Sequence, residues 1–486
     1  MKIESVSIKE VGRIKEIKKS IIKIDGLSTC MVGQLVHFND VTKGFVMGFN
    51  EEDVLVLLIS PPGSIKAGDE VYAKEEFFDI PVGDNFLGRI VDPLCQPLDG
   101  KGRIAEDEFA NIFRDAPKVL DRVPIEKIMA TGIRIIDSCI PIGKGQRQLI
   151  LGDRMTGKTT IAVDAILNQK DTDVISIYCC IGRDYTSFEK VIRSFKEKGN
   201  LDRMIIVAAL ASAPIGEQYL APYTAATLGE YFMFGGRDVL VAFDDLTKHA
   251  WAYRELSLLL ERPPGREAYP GDIFYLHAQL MERAAKLSPE MGGGSMTFLP
   301  IADTLQGDIA GFIPTNLISM TDGQIYLSSV LFSEGFKPAI DVGLSVSRIG
   351  SKAQSTIMRE VTKNLGLEYI QYRELLKTTR LRGASEEVSS RLRRGEKLER
   401  IFIQDKNRPS PAAEQLLLFY ALQKGVLDAV SDKKCDDFKA DILSFANAAY
   451  PDLVRKLEEG AGLTPNDEKA MKACIVAFFK EREHEA

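Results

Sequence analysis

Residues 152–159 read Gly152-Asp153-Arg154-Met155-Thr156-Gly157-Lys158-Thr159, the spacing G-x-x-x-x-G-K-T. Residues of these types at this spacing can hold a polyphosphate. The glycines let backbone N–H groups close around phosphate oxygens, and a helix N-terminus adds partial positive charge. Lys158 can reach the outer phosphates, and the Thr159 hydroxyl can ligate Mg²⁺. Such a loop has to join a buried strand to a helix. Gln148-Leu149-Ile150-Leu151 supplies the apolar run before it, and Ile161, Ala162, Ala165 and Ile166 recur at helical spacing after it. Further on, Val239-Leu240-Val241-Ala242-Phe243 runs into Asp244-Asp245. A strand of this kind delivers carboxylates to its C-terminal tip, which makes Asp244 the expected Mg²⁺-side partner of Thr159, through water. A surface turn or a helix cap is the other use of Asp244.

The elements that position these groups fall into three regions. Residues 1–80 carry short apolar runs broken by turn chemistry: SIIKI before Asp25-Gly26, MVGQLVHF before Asn39-Asp40, GFVMGF before Asn50, and DVLVLLI before Ser60-Pro61-Pro62-Gly63. That spacing predicts a small β barrel or sandwich with no chemical motif of its own. Over 81–355 the β runs QLIL, VISIYCC, MIIVAAL and VLVAF alternate with helical stretches such as YTSFEKVIRSFKEKG and APYTAATLGEYF. The alternation predicts βαβ units around a mostly parallel sheet, with ligands at the strand C-termini. Over 356–486 leucines recur at helical spacing in EYIQYRELLK, RLRRGEKLERIF, AAEQLLLFYALQKGVLDAV and MKACIVAFFKERE, which predicts a helical bundle. The basic run Arg391-Leu392-Arg393-Arg394 reads as a solvated helix face, with a docking surface as the alternative.

Composition narrows the classes. The chain has 486 residues, 45% of them hydrophobic, enough for several domains with sizeable cores. Lys plus Arg number 62 against 69 Asp plus Glu, for a net charge of −7, which argues against a broad nucleic-acid footprint. The seven cysteines are scattered without C-x-x-C spacing, which predicts reduced, buried thiols of a cytosolic protein. The N-terminus lacks an apolar signal core, and no apolar run approaches the roughly 18–20 residues of a membrane span. Membrane association is therefore expected only through partners.

Over nearly its whole length the sequence resembles the α subunits of F-type ATP synthases. The resemblance runs in order through 82–102, 152–170, 243–286, 312–329 and 336–354, the last reading FKPAIDVGLSVSRIGSKAQ. It implies an N-terminal β barrel, a central P-loop α/β domain and a C-terminal helical bundle. It also implies a three-plus-three ring with catalytic β subunits around a central-stalk γ subunit, peripheral on the cytoplasmic side of the bacterial plasma membrane. ATP or ADP with Mg²⁺ would be bound, and the coupled ion would be a proton or Na⁺. Catalytic β-type subunits carry a glutamate after the second strand that orients the attacking water. The matching position here is Arg183, which cannot take a proton at neutral pH, so this chain's own site is expected to bind nucleotide without turning it over. Asp184, next door, is the residue that could substitute. Arg348 matches the arginine that the family's α subunit projects into the neighbouring β site, where it stabilises the transferring phosphoryl group. A structural interface ion pair is the plainer role for it.

Three departures accompany the resemblance. Met155 stands where the family's α loop has Gln. In the adenine pocket Phe332 and Pro338 match, but Lys337 replaces an Arg; Gln404 keeps one usual glutamine, and Lys406 occupies the position of the other. The sequence also starts close to the barrel, without most of the N-terminal extension that holds the peripheral-stalk subunit, which leaves that attachment open. Three rivals differ in class. A self-sufficient homohexameric export-motor ATPase needs its own water-orienting carboxylate where Arg183 stands. A termination-factor-type nucleic-acid translocase needs a basic, aromatic barrel, and this one is aliphatic and acidic. A structural spacer that no longer binds nucleotide would not need an intact phosphate loop.

Overall fold

The computed structural model describes residues 10–39, 42–50, 52–59, 65–199, 201–379, 386–460 and 464–484. The turn expected at Ser60-Pro61-Pro62-Gly63, and the Asp40 half of the Asn39-Asp40 turn, lie outside them. The protein divides into two compact units: 1–123 with 173–302 and 310–320, and 124–172 with 303–309 and 321–486.

The first unit opens with a closed antiparallel barrel whose described strands, in spatial order, are Glu10–Lys18, Ile21–Asp25, Val54–Leu58, Lys43–Phe49, Gln34–His37 and Glu70–Phe77. Closure comes from the pairing of the first and last strands, with Glu10 opposite Ala73 and Gly12 opposite Val71. Closing the sheet removes its edges. Ile14, Ile22, Ile24, Val36, Val46, Val56, Leu58 and Val71 fill the interior. The strands at the closing seam mix charged residues with few aliphatic ones and keep no strict alternation, as in Glu10-Val11-Gly12-Arg13-Ile14-Lys15. That is why they are inconspicuous beside the aliphatic runs between them.

The same unit carries parallel strands in the order Ser295–Asp303, Asp238–Asp244, Ile175–Ile181, Met204–Ala209 and Ile90–Val91. Ile175–Ile181 and Met204–Ala209 are buried along their whole length, as expected of strands covered on both faces. The helix Ile215–Phe234 packs across them. Glu230 on that helix and Arg283 form a fully buried two-pronged ion pair with contacts of 2.7 and 2.8 Å, and Arg283 also donates to the Ile112 carbonyl and the Thr227 hydroxyl. Each of the two buried charges is thus compensated by the other.

The second unit pairs Leu149–Gly152 parallel to Gly323–Leu327, and the latter antiparallel to Val346–Ser347. Its helical region comprises Thr356–Thr362, Leu365–Thr379, Glu386–Phe402, Ala412–Gln423, Asp432–Ala449, Pro451–Glu459 and Pro465–His484. Arg134, on the helix Arg134–Cys139, anchors itself to this region through Glu414 at 2.7 Å and the Ile401 carbonyl at 3.0 Å. The basic run is only partly a solvated face. Arg391 and Arg393 are exposed, but Arg394 turns inward to Glu368 at 2.9 Å and Asp428 at 3.1 Å. One helical turn places it against carboxylates of neighbouring helices, an arrangement that charge pattern alone does not reveal. All seven thiols are free, and six are buried. Among the described residues no helix is long and apolar enough to cross a membrane.

Candidate functional site

The phosphate loop forms as its sequence requires. Gly157 takes the left-handed conformation (φ 102°) and caps the ten-residue helix Lys158–Leu167, a backbone state that costs glycine little. Gly152 lies so close to the neighbouring strand that a Cβ there would sit 2.6 Å from the Leu327 carbonyl oxygen. The first-turn N–H groups of the helix, which have no intrahelical acceptor, thus open onto the loop. Lys158 is only 7% exposed. Its Nζ donates to the carbonyls of Gly152 (2.9 Å) and Asp153 (2.5 Å) and pairs with Asp303 at 3.0 Å. The ammonium is therefore held at the mouth of the loop. Thr159 is half-buried in the first helical turn.

Other loop residues do different work. The Asp153 carboxylate accepts from the Thr304 hydroxyl (2.6 Å) and the Gly307 N–H (2.8 Å), and the Thr304 N–H donates to the Gly152 carbonyl at 3.0 Å. Asp153 thus staples the loop to the segment after Asp303. The Thr156 hydroxyl closes the turn onto the Asp153 carbonyl at 2.8 Å. Arg154 approaches Asp303 at 3.5 Å. Met155 stands 90% exposed in a left-handed conformation (φ 65°). Asp303 is the residue that sequence reasoning missed. It carries the signal that drew attention to Asp244, an apolar strand ending in Asp, in the run Phe298-Leu299-Pro300-Ile301-Ala302.

The residues matched to an adenine pocket gather in the same unit. Phe332 lies on the short helix Ser329–Ser333, and the Lys337 ammonium sits over its ring, 4.8 Å from the centroid. The Gln404 N–H donates to the Lys337 carbonyl at 2.9 Å. Its side-chain oxygen accepts from the Arg134 N–H, and its amide nitrogen donates to the carbonyls of Gly132 and Arg408. Both ends of that amide are thus engaged by backbone. Pro338 is half-buried and Lys406 exposed. The Asn407 N–H donates to Asp164 on the phosphate-loop helix at 2.7 Å, tying the 404–408 segment to that helix.

Arg348 follows the strand Val346–Ser347. Its backbone N–H donates to the Asp322 carbonyl at 3.0 Å, and the side chain is exposed. Nearby, the Ser347 hydroxyl donates to the Pro141 carbonyl at 2.6 Å and accepts from Gln146 at 3.2 Å. These contacts fix the backbone from which the guanidinium projects.

In the first unit, Asp244 ends its strand beside Cys180 of the neighbouring strand and is 1% exposed. Its Oδ2 accepts from the Tyr178 hydroxyl at 2.7 Å and from Arg183 Nη1 at 2.5 Å. Burial works against the Arg183 charge, but the Asp244 carboxylate outweighs it and holds the guanidinium above its ordinary pKa. Burial and the same carboxylate push the Tyr178 phenol well up. Asp184 caps the helix Tyr185–Lys198, accepting from the Ser187 N–H at 2.9 Å; that bond lowers its pKa. Asp245 caps Leu246–Leu259 in the same way, through Lys248. The capping role considered for Asp244 is thus taken by its neighbour Asp245. These side chains suit a nucleotide at the loop. Within the first unit, Arg183 supplies a counter-charge to the Oδ2 side of the Asp244 carboxylate.

A closed barrel, a strand–loop–helix phosphate site and a helical C-terminal region together define a P-loop nucleotide-binding protein of the rotary-ATPase kind. Three family models match along the sequence: the beta-barrel domain of the ATP synthase alpha/beta family over 7–74, the nucleotide-binding domain of that family over 132–347, and the C terminal domain of the ATP synthase alpha/beta chain over 354–478. Among curated proteins, the ATP synthase subunit alpha of Petrotoga mobilis is 43% identical over 481 residues, covering 98% of this chain and 95% of the relative. The subunit alpha of Staphylococcus haemolyticus is 45% identical, with 98% and 94% covered, and that of Clostridium acetobutylicum 44%, with 99% and 94% covered. The protein belongs to the ATP synthase alpha/beta family, on its alpha-subunit side.

Proposed function

We propose that this chain is the non-catalytic, nucleotide-binding α subunit of an F-type ATP synthase that makes or hydrolyses ATP coupled to proton or Na⁺ translocation. The observation that carries the non-catalytic assignment is Arg183. Where a catalytic subunit needs a carboxylate to orient water, this chain has a permanently protonated guanidinium bound to Asp244. Asp184, the adjacent residue that could substitute, is committed to capping a helix. The phosphate loop with Lys158 holds the polyphosphate of ATP or ADP, and the base lies against Phe332, Lys337, Pro338 and the Gln404–Lys406 segment. Thr159 is the Mg²⁺-side hydroxyl. Arg348, exposed on a backbone fixed from below, reaches into the catalytic site of a neighbouring β subunit and spreads positive charge over the transferring phosphoryl group. The partners are β subunits alternating with this chain in a three-plus-three ring and a central-stalk γ subunit, peripheral to the cytoplasmic face of a bacterial plasma membrane.

The test is the steady-state ATP hydrolysis rate of the purified protein alone, and again after mixing with its cognate β-type subunit. Silence alone, with turnover on mixing above that of the partner alone, supports the assignment. Turnover by this protein alone at the mixed rate replaces it with a self-sufficient homohexamer. Lys158→Ala should weaken ATP retention by this chain while leaving the assembled complex partly active; complete loss of turnover with intact assembly contradicts a non-catalytic site.

A further inference from the structure

We propose that Asp303 is a positioning residue of the phosphate loop, a built-in counter-ion that a polyphosphate must displace from Lys158 and that thereby holds down the affinity for ATP. The inference rests on the nucleotide reading above and deepens it. An ammonium group has three N–H donors and no acceptor. That of Lys158 has three short contacts to oxygen: the carbonyls of Gly152 at 2.9 Å and Asp153 at 2.5 Å, and Asp303 Oδ1 at 3.0 Å. A phosphate oxygen can therefore bond Lys158 only by taking the place of one of them. The two carbonyls belong to the loop backbone, which is fixed by the Thr156 hydroxyl and by the bonds from the Asp153 carboxylate to Thr304 and Gly307. The acceptor that can yield is the Asp303 side chain. Its place beside the ammonium is set by the loop itself, because the Gly152 carbonyl accepts both from Lys158 and from the N–H of Thr304, the residue after Asp303, at 3.0 Å. The Asp303 side chain is 12% and that of Lys158 7% exposed, so the carboxylate's charge is poorly screened from an anion brought to the ammonium. The other carboxylate oxygen lies 3.5 Å from Arg154 Nε, which leaves Asp303 a cation of the same loop to rest on when Lys158 turns to a phosphate.

The experiment is calorimetric titration of ATP into the full-length protein for the wild type, Asp303→Asn and Asp303→Glu, in EDTA so that no cation bridges the carboxylate to the phosphates. Inorganic tripolyphosphate, measured as a competitor of ATP, isolates the phosphate end of the ligand. Asp303→Asn, which keeps the shape and removes the charge, should bind both ligands about fivefold or more tightly than the wild type. Asp303→Glu, which returns the charge, should fall back to within about threefold of the wild type. Damage to the fold weakens binding, so a gain in affinity reports the counter-ion and not mere structure. Unchanged or weaker ATP binding by a folded Asp303→Asn overturns the proposal. A gain for ATP that tripolyphosphate does not share overturns it too, because the effect then lies away from the phosphates. If neither Asp303→Asn nor Asp303→Ser folds, Asp303 serves the fold and the proposal fails. Absence of ATP binding by the wild type defeats the underlying nucleotide reading instead.

Discussion

Arg183 and Asp184 are adjacent and have opposite fates, which is how a β-strand followed by a helix uses consecutive side chains. The first turns back onto the sheet end and binds Asp244; the second faces the other way and caps Tyr185–Lys198. The capping role gives a prediction at this scale. Asp184→Ala should cost about 1 kcal/mol of stability through the lost cap, seen as a lower urea midpoint. The hydrolysis rate of the assembled complex should stay within about twofold of wild type. A collapse in that rate, with assembly intact, would mean that Asp184 takes part in the chemistry. Arginine at 183 and the phosphate-loop residues could be read from sequence because their types are chemically restrictive. Asp303 ends an apolar strand as Asp244 does, but its pairing with Lys158 at 3.0 Å, across a sequence separation of well over a hundred residues, comes from the fold.

Among elements, the helices over the first unit's sheet are fastened by buried polar pairs. His249 Nε2 faces the Tyr219 carbonyl at 3.0 Å, so that nitrogen carries the proton, and Nδ1 accepts from His277 Nε2, also at 3.0 Å. Burial lowers the His249 pKa from 6.5 to about 4, and burial together with His249 holds His277 well below its ordinary value. The unfolded protein takes up these protons as pH drops through 6.5, whereas the folded protein resists until about 4. Stability is therefore full above pH 6.5 and falls as pH falls toward 4, by about 3 kcal/mol from His249 alone. Urea unfolding across that range should show the slope, and His249→Gln should flatten it; an equal slope in the variant removes the histidine from the account. The Glu230–Arg283 pair makes a second prediction. Arg283→Ala strands a buried carboxylate and should cost about 3–5 kcal/mol, whereas Arg283→Met combined with Glu230→Leu should recover most of the loss. If the double replacement unfolds at the same urea concentration as the single one, the stranded charge is not the cause.

For the whole molecule, Arg348 separates what the protein does alone from what it does in a ring. Its side chain is exposed, so Arg348→Ala should leave the stability of the isolated protein within about 0.5 kcal/mol of wild type and its ATP affinity nearly unchanged. Turnover of the complex with the β-type subunit should nevertheless fall by about 10³-fold or more. An unchanged rate in the mixed complex removes the finger role. A loss of stability in the isolated protein would show instead that the guanidinium serves its own fold.

Much of the architecture follows from local rules. Aliphatic runs bounded by turn residues announce the barrel's inner strands, the alternation of buried strands and helices announces the parallel sheet, and the spacing of two glycines, Lys158 and Thr159 announces the phosphate loop. Each rests on a period or a conformational preference that acts over a few residues. The helix Asp432–Ala449 was legible by the same rule but easily passed over, since only Cys435, Phe438, Ile442 and Ala446 on it are buried. The barrel's closing strands were hidden because charged residues interrupt their few aliphatic ones without a regular period. Tertiary structure alone decided the partnerships: Arg183 with Asp244, Lys158 with Asp303, Arg394 with Glu368, and the Gln404 amide with the backbone at 132–134. The reason is physical. A polar side chain's partner is set by which groups the fold brings within about 3 Å, and no local pattern along the sequence encodes that distance.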